Sequence, residues 1–148
     1  MPALSERDLK ALIVSNLPPV DQHDEIVEAV GEDWVRLRLP FRQDYLGTDL
    51  WLSGDGVVFS GPLVMGFADT VMYSCVHAML GRDVIAVMVN LMVTFLRPAK
   101  AADIMGHGRL IRKGKRHAYV EVYLYSDGDA EPIAHVTSTH SIAARPAD

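Results

Sequence analysis

The chain has 148 residues, 49% of them apolar and 22% charged, with a formal net charge of −5. That is one domain with material for one proper core, which excludes a disordered chain. The acidic balance argues against a nucleic-acid partner, which needs a basic face.

Residues 5–17 read as a short amphipathic helix, with Ser5 as its N-cap, acids in the first turn and Pro18-Pro19 as its stop. Residues 23–30 read as a weak strand, followed by a turn at Gly31-Glu32-Asp33. In the next segment Val35, Leu37, Leu39 and Phe41 alternate with Trp34, Arg36, Arg38 and Pro40, so the two segments form a hairpin. Residues 43–59 contain Gly47, Gly54 and Gly56 with no sustained period and read as a loop. From Leu63 to Leu80 the chain is apolar almost all round, which places a helix inside the protein. Gly81-Arg82-Asp83 closes it. Four strands follow. The first covers residues 85–96, with Val87, Val89, Leu91, Val93 and Phe95 on one parity, and Arg97-Pro98 ends it. The second covers residues 103–112. In the third, Ala118, Val120, Val122 and Leu124 alternate with Tyr119, Glu121, Tyr123 and Tyr125. A turn at residues 126–129 leads to the last, residues 133–143. Short connections imply an antiparallel sheet wrapped around the apolar helix, in the α+β class. Residues 1–22 form an N-terminal helix and connector, and residues 23–148 the main domain.

The apolar helix carries one acid, Asp69, and a carboxylate there must be paired, protonated or solvated by a cleft. Its length is near the lower limit for a membrane span. Asp69, His77 and the strands that follow favour a buried helix in a soluble protein, with no membrane partner. Cys75 is expected as a buried free thiol, which suits a reducing cytoplasm, and residues 5–8 are too acidic to open a signal peptide. Six histidines are present without zinc-ligand spacing, so no metal is expected. His23, His77 and His107 all fall away from the helix start, and no nucleophile elbow, P-loop or dinucleotide fingerprint occurs.

Four stretches resemble one family in order and spacing. They are Gly54-Asp55-Gly56-Val57-Val58-Phe59-Ser60-Gly61-Pro62 with Gly66-Phe67-Ala68-Asp69-Thr70; Asn90-Leu91-Met92-Val93-Thr94-Phe95-Leu96-Arg97-Pro98; Arg112-Lys113-Gly114-Lys115-Arg116; and Ala134-His135-Val136-Thr137-Ser138-Thr139. Together they resemble the hotdog-fold acyl-CoA thioesterases of the PaaI-like branch over residues 24–143. The resemblance implies hydrolysis of a small- or medium-chain, or aryl, acyl-CoA, with coenzyme A as part of the substrate and no separate cofactor. It gives Asp69 the role of general base or nucleophile and the main-chain N–H groups of Gly61 or Leu63 the role of holding the oxyanion. It places Ser60, Pro62, Tyr73, Asn90 and Pro98 along the substrate, and Arg97, Lys113, Gly114, Lys115 and Arg116 along the phosphates of coenzyme A. It also implies a homodimer or a dimer of dimers, with Asp69 of one chain facing the helix start of the other.

The chain departs from that pattern in three places. Many members have His-Gly-Gly where it has Ser60-Gly61-Pro62. Some have an Asn about fifteen residues before the acid, at Gly54, or a Ser or Thr at Met88. Other readings of the same residues stand beside the catalytic one. Asp69 could be half of a buried ion pair with an arginine, the basic run a solvated turn, and Tyr73 simple core packing. The alternative function is a non-catalytic hotdog module that binds acyl-CoA or scaffolds a complex.

Overall fold

The computed structural model describes residues 1–48 and 57–147. Helix α1 (Glu6–Asn16) starts with a capping box: Ser5 Oγ accepts the Asp8 N–H, and the Asp8 carboxylate accepts the Ser5 N–H. Leu9, Leu12 and Ile13 face the core from it. Strands β1 (Ile26–Val30) and β2 (Trp34–Leu39) form the expected hairpin. β1 begins later than expected, because Asp24 takes a left-handed φ of 58° and turns the chain just before it. Residues 43–59 are not all loop, as expected from sequence. They hold a 3₁₀ turn (Gln43–Tyr45) and two three-residue strands, β3 (Leu46–Thr48) and β4 (Val57–Phe59), which pair with each other. Such strands are too short to show a period. Gly54 lies outside the described residues.

Helix α2 (Gly61–Leu80) is capped at its start by Ser60. It stops at Gly81, whose φ of 84° suits a residue without a Cβ. It is long and apolar enough to cross a membrane, yet most of it is buried in the protein. Strands β5 (Val84–Phe95), β6 (Ile104–Lys113), β7 (His117–Ser126) and β8 (Ala134–Ala144) complete a six-stranded antiparallel sheet in the order β1-β2-β6-β7-β8-β5. The alternation expected in β7 holds: Ala118, Val120, Val122 and Leu124 are fully buried. Val35, Leu37, Ile104 and Val136 join them beneath α2.

Two glycines of β6 set the depth at which the helix sits. A Cβ on Gly106 would meet Val71 Cγ2 at 2.5 Å, and one on Gly108 would meet Val71 Cγ1 at 2.9 Å. The helix and sheet are in contact where those side chains are missing. Gly106→Ala is therefore expected to destabilise the fold by about 1–3 kcal/mol through overpacking. Urea unfolding checks it, and an unchanged midpoint would show that the helix can lift at no cost.

The one parity shared by Val87, Val89, Leu91, Val93 and Phe95 does not hold one face of β5 throughout. Its pairing shifts from Met88 with His140 to Asn90 with Thr139, leaving Val89 as a bulge. Directly opposed residues share a face, so the alternation reverses there. Ala86 and Met88 face the core before the bulge. Leu91, Val93 and Phe95 face it afterwards, opposite the buried Ser138, Val136 and Ala134. β5 is also an edge strand, and it carries exposed apolar side chains: Val87 at 57%, Val89 at 59% and Met92 at 63%.

Candidate active site

α2 is not enclosed along its whole length, as expected from its composition. Its C-terminal half is engulfed, but Pro62, Met65, Gly66 and Asp69 form an exposed stripe, with half-buried Tyr73 continuing it. These are neighbours at helical spacing. Asp69 stands eight residues beyond Gly61, about 12 Å along the axis. No arginine or lysine pairs with it among the described residues, which removes the ion-pair reading.

Asp69 lies in a depression of about 90 Å³, whose walls include Leu17, Asp21, His23 and Tyr73. The carboxyl pKa is raised above its ordinary 3.8, first by burial against these walls and then by the negative charge of Asp21. Asp69 and Tyr73 thus come together as expected. Tyr73 has structural partners as well: its hydroxyl accepts from Asn16 Nδ2 at 3.3 Å, and its ring packs on His77 at 4.5 Å. His23 enters the depression from the connector before β1. Sequence reasoning set it aside because of its distance in the chain from the helix start.

A second hollow, of about 490 Å³, opens at the start of α2 between Phe59, Gly61 and Val64 on one side and Phe95, Arg97 and Pro98 on the other. It brings Gly61, Arg97 and Pro98 together. The expectation for Leu63 changes here. Its N–H donates to Ser60 Oγ at 3.2 Å, and that of Val64 to the Ser60 carbonyl at 3.1 Å. Pro62 has no N–H. Gly61 is left as the first-turn donor without an acceptor among the described residues, at the positive end of the helix dipole.

The basic turn joins β6 to β7, closed by Gly114 N–H donating to the His117 carbonyl at 2.7 Å. Lys113, Lys115 and Arg116 are exposed there and form no ion pair among the described residues. Lys115 and Arg116 edge a hollow of about 270 Å³ that also includes Tyr119 and Thr139. Asn90 pairs with Thr139, so it belongs to this outer face and not to the Asp69 depression. Arg97, expected beside the basic turn, lies at the other end of the sheet. It pairs with Glu131 at 2.9 Å and donates to the Pro132 carbonyl. The ten residues of β7 separate the two, about 30 Å.

The remaining reactive groups belong to the core or to surface pairs. Cys75 is buried, and burial pushes its thiol up to about 12, which suits filling rather than nucleophilic attack. His140 is buried, while His135 meets Glu121 at 2.9 Å on the other face of β8.

The profile of the thioesterase superfamily matches residues 56–133, more than half of the chain. A protein from Silicibacter sp. TM1040 designated a thioesterase is 28% identical, with a TM-score of 0.80, over 97% of this chain and 94% of its own. A protein from Ralstonia eutropha JMP134, designated a thioesterase related to phenylacetic acid degradation, is 25% identical with a TM-score of 0.68, over 90% and 98%. A thioesterase from Haemophilus influenzae shares the fold at 17% identity and a TM-score of 0.77, over 96% and 92%. No curated protein matches the chain at a significant level. With a six-stranded antiparallel sheet packed on one long helix, and with that profile across the helix and the three strands after it, the chain belongs to the thioesterase superfamily as a hotdog-fold thioester hydrolase.

Proposed function

We propose that the protein hydrolyses a small- or medium-chain, or aryl, acyl-CoA at a site shared by two copies of the chain, with Asp69 as general base. The observation that carries this reading is the separation of its two chemical groups. Asp69 and the Gly61 N–H, which has no acceptor among the described residues, lie on one helix about 12 Å apart, too far to act on one thioester within one chain. The edge of β5, with exposed apolar residues on both faces, supports pairing with a second β5 across a two-fold axis. That pairing would set the two α2 stripes against each other, Asp69 of one opposite Gly61 of the other. A dimer is the minimum assembly, and a dimer of dimers fits the apolar outer face of the same strand.

At such a site Asp69 takes a proton from water while the hydroxide oxygen bonds to the thioester carbon. The carbonyl electrons move onto oxygen, where the Gly61 N–H and the helix dipole hold them. The raised pKa of Asp69 makes it a stronger base than an ordinary carboxylate, which favours this role over direct attack. The acyl group would fill the apolar hollow beside Phe95 and Pro98. Lys113, Lys115 and Arg116, with Gly114 in their turn, would meet the phosphates of coenzyme A. This hydrolysis needs no cofactor beyond the substrate's own coenzyme A and suits the reducing cytoplasm in which a free Cys75 is stable.

Hydrolysis of butyryl-, octanoyl- and phenylacetyl-CoA tests the reading. Reversing the charge at both Lys115 and Arg116 is expected to raise KM with little change in kcat, because contact with the phosphates is equal in the ground and transition states. An unchanged KM would move the nucleotide elsewhere. Binding of all three compounds without turnover would favour the acyl-CoA-binding module.

A further inference from the structure

One buried charge has no part in the step above. Glu25 is 1% exposed, and a carboxylate withdrawn from water needs a partner. Both its oxygens accept the main-chain N–H of His23, each at 3.1 Å, and Oε1 lies 3.5 Å from His23 Nδ1. The Lys10 ammonium donates to the Glu25 main-chain carbonyl instead. The left-handed turn at Asp24 folds Glu25 back onto His23, a conformation that a residue with a side chain adopts at a cost.

The His23 ring is held from another side by Tyr45, which meets it edge-on at 5.9 Å. Its Nε2 has no partner among the described residues. The ring is 29% exposed and lines the depression that holds Asp69, Asp21 and Tyr73. Of the described groups that line that depression, His23 alone can carry a positive charge, beside the carboxylates of Asp21 and Asp69.

We propose that His23 is a second acid–base residue of this site and that Glu25 positions it. This rests on Asp69 being the base. When the C–S bond breaks, the sulfur leaves with the bonding electron pair. His23 Nε2 gives a proton to that sulfur and recovers one from Asp69, directly or through water. One water is consumed, and a carboxylic acid and a thiol are formed. Glu25, which accepts the His23 main-chain N–H and lies 3.5 Å from Nδ1, holds the residue at the depression.

The test is hydrolysis of butyryl-, octanoyl- and phenylacetyl-CoA, with and without added imidazole, and melting temperature on the same preparations. His23→Ala is expected to lose about a hundredfold in kcat with KM nearly unchanged, and to recover activity when imidazole fills the space. Alanine keeps the main-chain N–H that Glu25 accepts but removes the imidazole beside it, so His23→Ala with Glu25→Gln, which removes the carboxylate charge, is measured beside it. The double variant should show the same kinetic loss. Parent-like kcat in both variants beside an inactive Asp69→Asn overturns the role of His23 and leaves the base in place. A loss that imidazole restores in neither variant makes His23 structural and also overturns the proposal. An active Asp69→Asn overturns the base, and this inference with it.

Discussion

Asp69→Asn is expected to lose at least about a hundredfold in kcat, the lower range for removing a general base, and to melt no lower than the parent protein. The second half of this expectation follows from the raised pKa of Asp69. Between the ordinary carboxylate value and the raised one, the folded chain holds a proton that the unfolded chain has lost. Stability therefore falls as pH rises through that window. Above it, the ionised carboxylate beside Asp21 weighs against the fold, and Asn removes that charge while keeping the shape. A structural ion pair predicts the reverse, a loss of about 3–5 kcal/mol when one partner is removed. Acyl-CoA hydrolysis and a thermal melt on the same sample separate the two. The parent's kcat/KM should also fall on the acid side above pH 3.8, the ordinary carboxylate value. Full activity in the variant would remove Asp69 from the chemistry.

Mixing two inactive variants should restore activity if each site takes Asp69 from one chain and Gly61 from the other. A Cβ at Gly61 would meet no described atom within 4 Å, so Gly61→Val is expected to fold. Its branched side chain would then stand between a substrate carbonyl and the main-chain N–H. Losing one such donor costs about a hundredfold to a thousandfold in rate. In a mixed dimer with Asp69→Asn, one site carries both changes and the other carries neither. Co-expression with two different tags, and purification through both, gives that species. Activity in the mixed dimer with none in either parent variant supports the shared site. No recovery, or a monomeric mass in light scattering, would place both groups at work within a single chain and contradict it.

Much of the fold was legible because one face of most elements is buried. The β7 alternation, the capped α1 and the long apolar α2 each follow a period that a single chain displays. The Val89 bulge was not legible, since a strand that is apolar on both parities gives no sign of where its two half-patterns meet. The open stripe of α2 was hidden for a related reason: Met65 and Gly66 look no different from residues that pack inside their own chain. At the site, Asp69 stood out as a lone acid on an apolar helix. Ser60 was noticed, but not that its hydroxyl would take the Leu63 N–H, a matter of side-chain rotamer. Pairings across long separations were also out of reach. Arg97 finds Glu131, and His23 reaches the wall beside Asp69, through topology that no local period encodes.

The seating of α2 on Gly106 and Gly108 divides one helix into two territories for evolution and for protein engineering. Val71 and Cys75 are locked against a sheet with no room to yield, so substitutions there are filtered by folding before they can affect catalysis. Met65 and Gly66 lie six and five residues before Val71 on the open side of the helix, where a Cβ at Gly66 would meet no described atom within 4 Å. Substitutions at those two positions are filtered by the subunit and substrate that face them and not by the fold of the single chain. Related enzymes should therefore diverge at the open positions of the first two turns while keeping Gly61, Asp69 and the buried C-terminal half of this helix nearly constant.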